Sequence, residues 1–278
     1  MTAPESLIPI VPASPGANSL PFDTVLSASL GPAVDDGTSP VAGAIARLTG
    51  ARLVAGCALP AGTRAKAIIR MAREEPADLV ALAAPDLRGS ERIPDLARAL
   101  LDDGVAVLVV PAGDHRSWRP ARIGLGYDGG PPADAALAIA RRLLEAGGGE
   151  VGRLDIAYVD DSAAASYESD GEVIASRREA VIEWWLDDLV EPLPAHVRPL
   201  RLIGDPTVEL AELSDDLDLL VIGTRGRASL RRVFTGSVSR GLIARTRCPL
   251  LVVPPRPADR ERQTPTRAAA CAVATREI

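Results

Sequence analysis

The residues best suited to chemistry lie between positions 216 and 254. Glycines stand at 223, 226 and 236, and Ser237 and Ser239 follow the last of them. Without a Cβ, backbone N–H groups can approach an anion closely, and serine hydroxyls add donors, so this set suits phosphate. The run from Ser237 to Arg245 reads as the start of a helix, whose free N–H groups and dipole favour negative charge. The plainer alternative is two ordinary turns, with Ser237 only capping the helix. Apolar runs at 219–222 and 250–253 flank the glycines, bounded by Asp218, Gly223, Pro249 and Pro254. Each is too short for a helix and reads as a strand buried on both faces.

Taken together, Gly223-x2-Gly226-x9-Gly236-Ser237, set between strands ending Val-Ile-Gly and Leu-Val-Val-Pro, resembles the ATP-binding signature of the universal stress protein family. The resemblance is good over about 118–255 and weak over 1–112. It implies a parallel sheet of order 3-2-1-4-5, with strands 1 and 4 side by side and the loop from Tyr127 to Gly130 facing Gly223–Gly226. It also implies that Asp128, between Tyr127 and Gly129, lies near adenine and ribose, and that the backbone of Val159 meets the adenine edge. Gly223, Thr224, Gly226, Gly236, Ser237, Val238 and Ser239 match its ribose and phosphate contacts. Helix capping is the alternative for Asp128, and core packing for Val159. Gly130 departs from the serine often found there in the family. Magnesium would accompany ATP, held by phosphate oxygens and water.

The elements that must position these residues follow from the rest of the chain. Its 278 residues allow one large domain or two of ~140. Apolar residues make up 47% but aromatics only 3%, so small aliphatics do the packing, as in parallel α/β layers. A net charge of −6 disfavours nonspecific binding to nucleic acid or anionic membrane. Cys57, Cys248 and Cys271 show neither a disulfide framework nor metal spacing, which fits a reducing cytoplasm. Cys248 reads as a small buried hydrophobe, and His115 and His196 as structural or surface residues. Lys66 is the only lysine, so no Walker-type loop exists. No apolar run reaches membrane-spanning length, and no basic signal-peptide start is expected.

The second half alternates regularly. Strands are expected at 122–127, 154–159, 197–203, 219–223 and 250–253, and helices from Pro131, over 172–190 and from Pro206. In the 172–190 helix, Ile174, Val181, Ile182, Trp185 and Leu189 are expected to face inward. The first half is shorter, with strands at 7–11, 24–30, 51–55, 77–84 and 105–111 and helices at 40–48, 63–73 and 94–101. Its end repeats the signature region: 78–83 matches 218–223 and 108–111 matches 251–254. Ala83 and Asp86 stand where Gly223 and Gly226 stand, and Gly89-Ser90 comes too soon after the strand.

The expected fold is α/β, two tandem Rossmann-like (flavodoxin-like) domains with five-stranded parallel sheets, the first one shortened. Residues 1–112 form a degenerate domain that does not bind ATP, 113–120 a linker, 121–255 the ATP-binding domain and 256–278 a disordered tail. The closing strands are apolar enough to pair the halves as an internal pseudodimer, and a homodimer of whole chains is the other expectation.

Arg225, Arg227, Arg231, Arg232 and Arg240 make the signature region basic, either to reach outer phosphates or as a solvated face. No histidine base, P-loop lysine or dedicated carboxylate pair is present for efficient phosphoryl transfer, so an ATP-dependent regulator or sensor of stress is expected, with at most slow hydrolysis. Two rivals stand beside it. One is a protein-interaction module without nucleotide. The other is a nicotinamide-dependent oxidoreductase, since Gly124, Gly126 and Gly129 also spell GxGxxG, with Asp160 and Asp161 ending the next strand. Against it, Asp128 would sit inside that loop and repel a pyrophosphate.

Overall fold

The computed structural model describes residues 22–28, 38–55, 64–84, 92–161, 171–194, 196–224 and 237–255. The first half contributes β1 (Thr24–Ala28), α1 (Thr38–Thr49), β2 (Arg52–Ala55), α2 (Arg64–Glu74), β3 (Leu79–Ala84), α3 (Arg92–Asp102) and β4 (Ala106–Pro111). The second contributes β5 (Arg122–Gly126), α4 (Pro131–Ala146), β6 (Arg153–Asp160), α5 (Gly171–Val190), β7 (Val197–Ile203), α6 (Pro206–Leu213), β8 (Leu219–Gly223), α7 (Ser237–Ile243) and β9 (Leu250–Val253). The expected strand at 7–11 and the tail from 256 lie outside the described residues.

All nine strands form one sheet, in the order β2-β1-β3-β4-β9-β8-β5-β6-β7. The second half supplies the expected 3-2-1-4-5 order. Among the described residues the first half shows the same order with one strand and one helix fewer. Every pairing is parallel except that of β4 with β9, where Leu108 faces Leu251. The halves therefore do not form separate sheets. Their equivalent closing strands meet antiparallel and make the sheet continuous.

The repeat seen in the sequence has a physical basis at the strand starts. The Asp78 carboxylate accepts the N–H groups of Asp23 and Thr24 at 2.9 and 3.0 Å, where β1 begins. The Asp218 carboxylate accepts the N–H of Arg122 at 2.8 Å, where β5 begins. Each aspartate pins the start of its half's fourth-position strand to the first. Between the halves, 113–120 is a docked segment: Trp118 donates its indole N–H to the Asp218 carbonyl at 2.9 Å, and the His115 ring meets the Pro111 carbonyl at 2.9 Å.

Two apolar clusters cover the two faces. One holds α1 and α4, with Val41, Ile45, Ala136, Ala140 and Leu143 against Leu108, Leu125 and Leu251. The other holds α2, α3, α6 and α7, with Ile68, Leu96, Leu210 and Leu242 against Leu82, Val107, Leu220 and Val252. Across the seam α1 packs beside α4 and α3 beside α7. One inward assignment is corrected: Val181 is 51% exposed, like Trp184 at 58%. The buried stripe of α5 is Ile182, Trp185, Leu186 and Leu189, spaced i, i+3, i+4, i+7, and Val181 lies one position round the helix. Cys248 is buried as expected, and burial pushes its thiol up to about 12.

Leu251 is fully buried at the centre of the seam. Leu251→Ala should destabilise the whole chain by ~2–5 kcal/mol in urea unfolding. A loss under ~1 kcal/mol would show that the seam is not part of the core.

Candidate functional site

The sheet order reverses between β5 and β8, which lie parallel with Gly126 beside Ile222. Buried residues of α4, the helix after β5, belong to one face of the sheet, and those of α7, after β8, to the other. A crevice opens at such a point beyond the carboxyl ends of the strands. The structure thus brings the Tyr127–Gly130 loop beside Gly223 and Thr224. Gly226 and Gly236 lie outside the described residues, as do Asp86, Gly89 and Ser90 of the first half. Ser237 opens α7, and Val238 and Ser239 follow it, half-buried.

Each described residue has a distinct local cause. A Cβ on Gly223 would overlap the Pro132 carbonyl and lie 2.8 Å from the Ala133 nitrogen. The start of α4 therefore rests directly on the end of β8, and only glycine fits. The Thr224 N–H is already donated to the Val253 carbonyl at 2.9 Å, so Thr224 offers its hydroxyl and carbonyl rather than its amide. Asp128 is exposed, and its carboxylate accepts the Gly130 N–H at 2.9 Å. Gly130, not Asp128, is the N-cap of α4, and it makes no side-chain capping bond. Asp128 thus shapes the turn into the helix while keeping its side chain at the surface.

Val159 is half-buried, packed with its side chain against the α6 and α7 face. The β5–β6 ladder ends at Gly126 and Ala157, with one more bond from the Tyr127 N–H to the Ala157 carbonyl at 2.8 Å. Val159, two residues on, turns its backbone groups to the same side, past the end of β5. Core packing and an open backbone edge coexist at this position.

The glycines of the GxGxxG pattern have packing reasons. Gly124 and Gly126 lie inside β5 rather than in a turn after it. A Cβ at 124 would overlap the Leu217 side chain, and one at 126 would lie 3.0 Å from Leu210. A dinucleotide fingerprint needs its glycines in the strand-to-helix turn, so the pattern does not serve one here. Asp160 is buried and ion-paired to Arg201 at 3.3 Å, not placed to receive a ribose.

A cluster that no sequence motif marks lies beneath the loop. Tyr127 is buried and donates its hydroxyl hydrogen to Asp134 of α4 at 2.5 Å. Its ring stacks on Trp185 of α5 at 5.6 Å and 22°. Tyr158 meets the same indole edge-on at 5.5 Å and 78°. In a chain with 3% aromatics, the rarity of such rings was the available signal, although the three lie on separate elements. Burial above all, then the hydrogen bond to Asp134 and the charges of Asp134 and Asp128, raise the Tyr127 pKa.

A cavity of about 340 Å³ opens elsewhere, at the far end of α4, between Arg47, Trp118, Arg119 and Glu150. Among the described residues no group of His, Cys, Asp and Glu could hold a metal, and no helix is long and apolar enough to cross a membrane.

Two outcomes follow from this geometry. Gly223→Ala should cost ~1–3 kcal/mol of stability with no nucleotide present, because the clash is with backbone. An unchanged urea midpoint would refute the close packing. The folded pKa of Tyr127 lies above the unfolded value of about 10. Its contribution to stability is therefore complete below about pH 10 and is lost as pH rises from there toward the folded value. The phenolate absorbance of wild type minus that of Tyr127→Phe should show Tyr127 ionising only as the chain unfolds. Titration near pH ~10 in the folded chain would contradict this.

Comparison with known proteins agrees with this architecture. The sequence model of the universal stress protein family matches residues 121–254. Universal stress protein MJ0531 of Methanocaldococcus jannaschii is 29% identical over 98 residues, 34% of this chain and 57% of that protein. Universal stress protein MJ0577 of the same organism is 27% identical over 66 residues, 23% of this chain and 41% of that one. The chain thus spans about half the length of the curated relatives it matches.

In fold, it is similar to the functionally unknown protein PA1789 of Pseudomonas aeruginosa, with a TM-score of 0.57 at 16% identity over 84% of this chain and 93% of that one. A universal stress protein from Archaeoglobus fulgidus gives a TM-score of 0.52 at 18% identity over 84% of this chain and 88% of that one. The family model and both curated relatives thus agree in likening residues 121–254 to universal stress proteins, and the strand order is the one that the resemblance implies.

Proposed function

We propose that the second half binds ATP in the crevice between β5 and β8, and that the chain acts as a nucleotide-dependent regulator or sensor in a stress response. The observation that carries this is the neighbourhood of the Tyr127–Gly130 loop and the Gly223–Thr224 end of β8 at the sheet's switch point. The strand leads directly into the glycine-rich segment that resembles an ATP signature. Asp128 at the surface suits the ribose hydroxyls, and the backbone edge of Val159 past the end of β5 suits an adenine.

Phosphates would lie toward Gly226, Gly236, Ser237, Val238 and Ser239, with magnesium carried on their oxygens. In this reading the first half binds no ATP, since Ala83 and Asp86 replace two signature glycines. It serves instead as the partner that completes the sheet, and the chain works in the cytoplasm. The signature carries no histidine and no P-loop lysine, so shape or partner choice, with at most slow hydrolysis, is its output.

Calorimetric titration of ATP, with and without magnesium, tests this against Gly236→Asp. Binding near one site per chain is expected. The variant, with an unchanged urea midpoint, should bind at least ~10-fold more weakly because its carboxylate opposes the phosphates. Absence of binding by folded wild type would reject the reading.

A further inference from the structure

We infer that Trp185, a residue of α5 outside the signature, is the positioning residue for the Asp128 loop, and that its indole reports occupancy of the crevice. The inference rests on the ATP reading of that crevice. Three contacts fix the indole. Tyr127 stacks on it at 5.6 Å, and Tyr158 closes its side edge-on at 5.5 Å. Gly129 lies against its benzo edge: a Cβ there would be 3.2 Å from Trp185 Cζ2 and 3.6 Å from Cη2. Gly129 also has φ +74°, which side chains rarely adopt, so glycine is required there on two counts.

Trp185 therefore touches residues 127 and 129, on either side of Asp128. Tyr127 is in turn anchored by its hydroxyl to Asp134 of α4. The carboxylate of Asp128 is held by the Gly130 N–H. Asp128 is thus an exposed acid on a loop whose two flanking residues are clamped by one ring. Its neighbour Trp184 shares none of this and points to solvent, 58% exposed. A helix that only needed an apolar face would not require an aromatic at 185. The stack on Tyr127 and the contact with a positive-φ glycine do require a flat ring.

A core role and a positioning role predict different results. Trp185→Leu removes the ring, and ATP affinity should fall about five- to tenfold in a chain that circular dichroism shows folded at the assay temperature. Trp185→Phe keeps a stacking ring and should bind within about threefold of wild type. ATP should change tryptophan emission in wild type, saturating at the calorimetric midpoint, and this change should vanish in Trp185→Phe although that variant still binds. If Trp185→Leu does not fold, the emission comparison with Trp185→Phe decides alone. An unaltered emission change in Trp185→Phe, or wild-type affinity in folded Trp185→Leu, overturns the inference while leaving ATP binding intact. A wild-type chain that binds no ATP overturns the ATP reading and this inference together.

Discussion

The carboxylate of Asp218, by accepting the N–H of Arg122, ties the start of β8 to the start of β5, and the crevice depends on that tie. It fixes a register in which Gly126 lies beside Ile222. β5 ends there, β8 runs one residue further, and α4 can fold back over Gly223. A slip by one residue would turn every side chain of β8 to the opposite face. It would also bring a residue with a Cβ under the Pro132 carbonyl. The same device at Asp78 sets β3 against β1, which is why the two halves share an architecture although little else of their sequences agrees.

The antiparallel seam between β4 and β9 gives the first half a purpose that does not require a ligand. A domain ending in β9 alone would leave a fully apolar edge, Leu250 to Val253, open to any other strand. Here Val107, Leu108 and Val109 occupy it. For that task the first half needs its closing strand, the strands behind it and helices on both faces. It does not need a third strand. The cost is an edge at β2, which is only four residues long and carries Arg52, tied to Glu75 at 3.1 Å. Short, charged edges are poor templates for further pairing.

Much of this was legible in the sequence because parallel strands buried on both faces leave a strong mark. The runs at 219–223 and 250–253 and the helix opened by Asp205-Pro206 have the bounds their residues imply, and Asp205 accepts the N–H groups of Thr207 and Val208 as a helix cap does. What was not legible depends on contacts distant in sequence. Val181 and Ile182 are both β-branched and adjacent, so hydropathy alone does not say which faces the sheet. The union of the halves into one sheet was open because an apolar closing strand serves a dimer of chains as well as an internal pair. The aromatic cluster joins residues 127, 158 and 185 from three elements, and no local pattern links them.

Glycine carries two different meanings in this chain, and the structure separates them. Gly124, Gly126 and Gly223 are small because something else of the protein occupies the space a side chain would need: Leu217, Leu210 and the backbone of Pro132 in turn. Their demand is satisfied by the folded chain alone. Gly129 is set by backbone conformation as well as by an indole. Glycines that look alike in the sequence therefore answer to different demands, and Gly223 answers to packing. It opens the motif, yet a substitution there acts first by displacing the start of α4. The GxGxxG of β5 is of the first kind in two of its three positions. Its likeness to a dinucleotide fingerprint comes from strand packing, and only its third glycine, between Asp128 and the N-cap of α4, lies in the loop after β5.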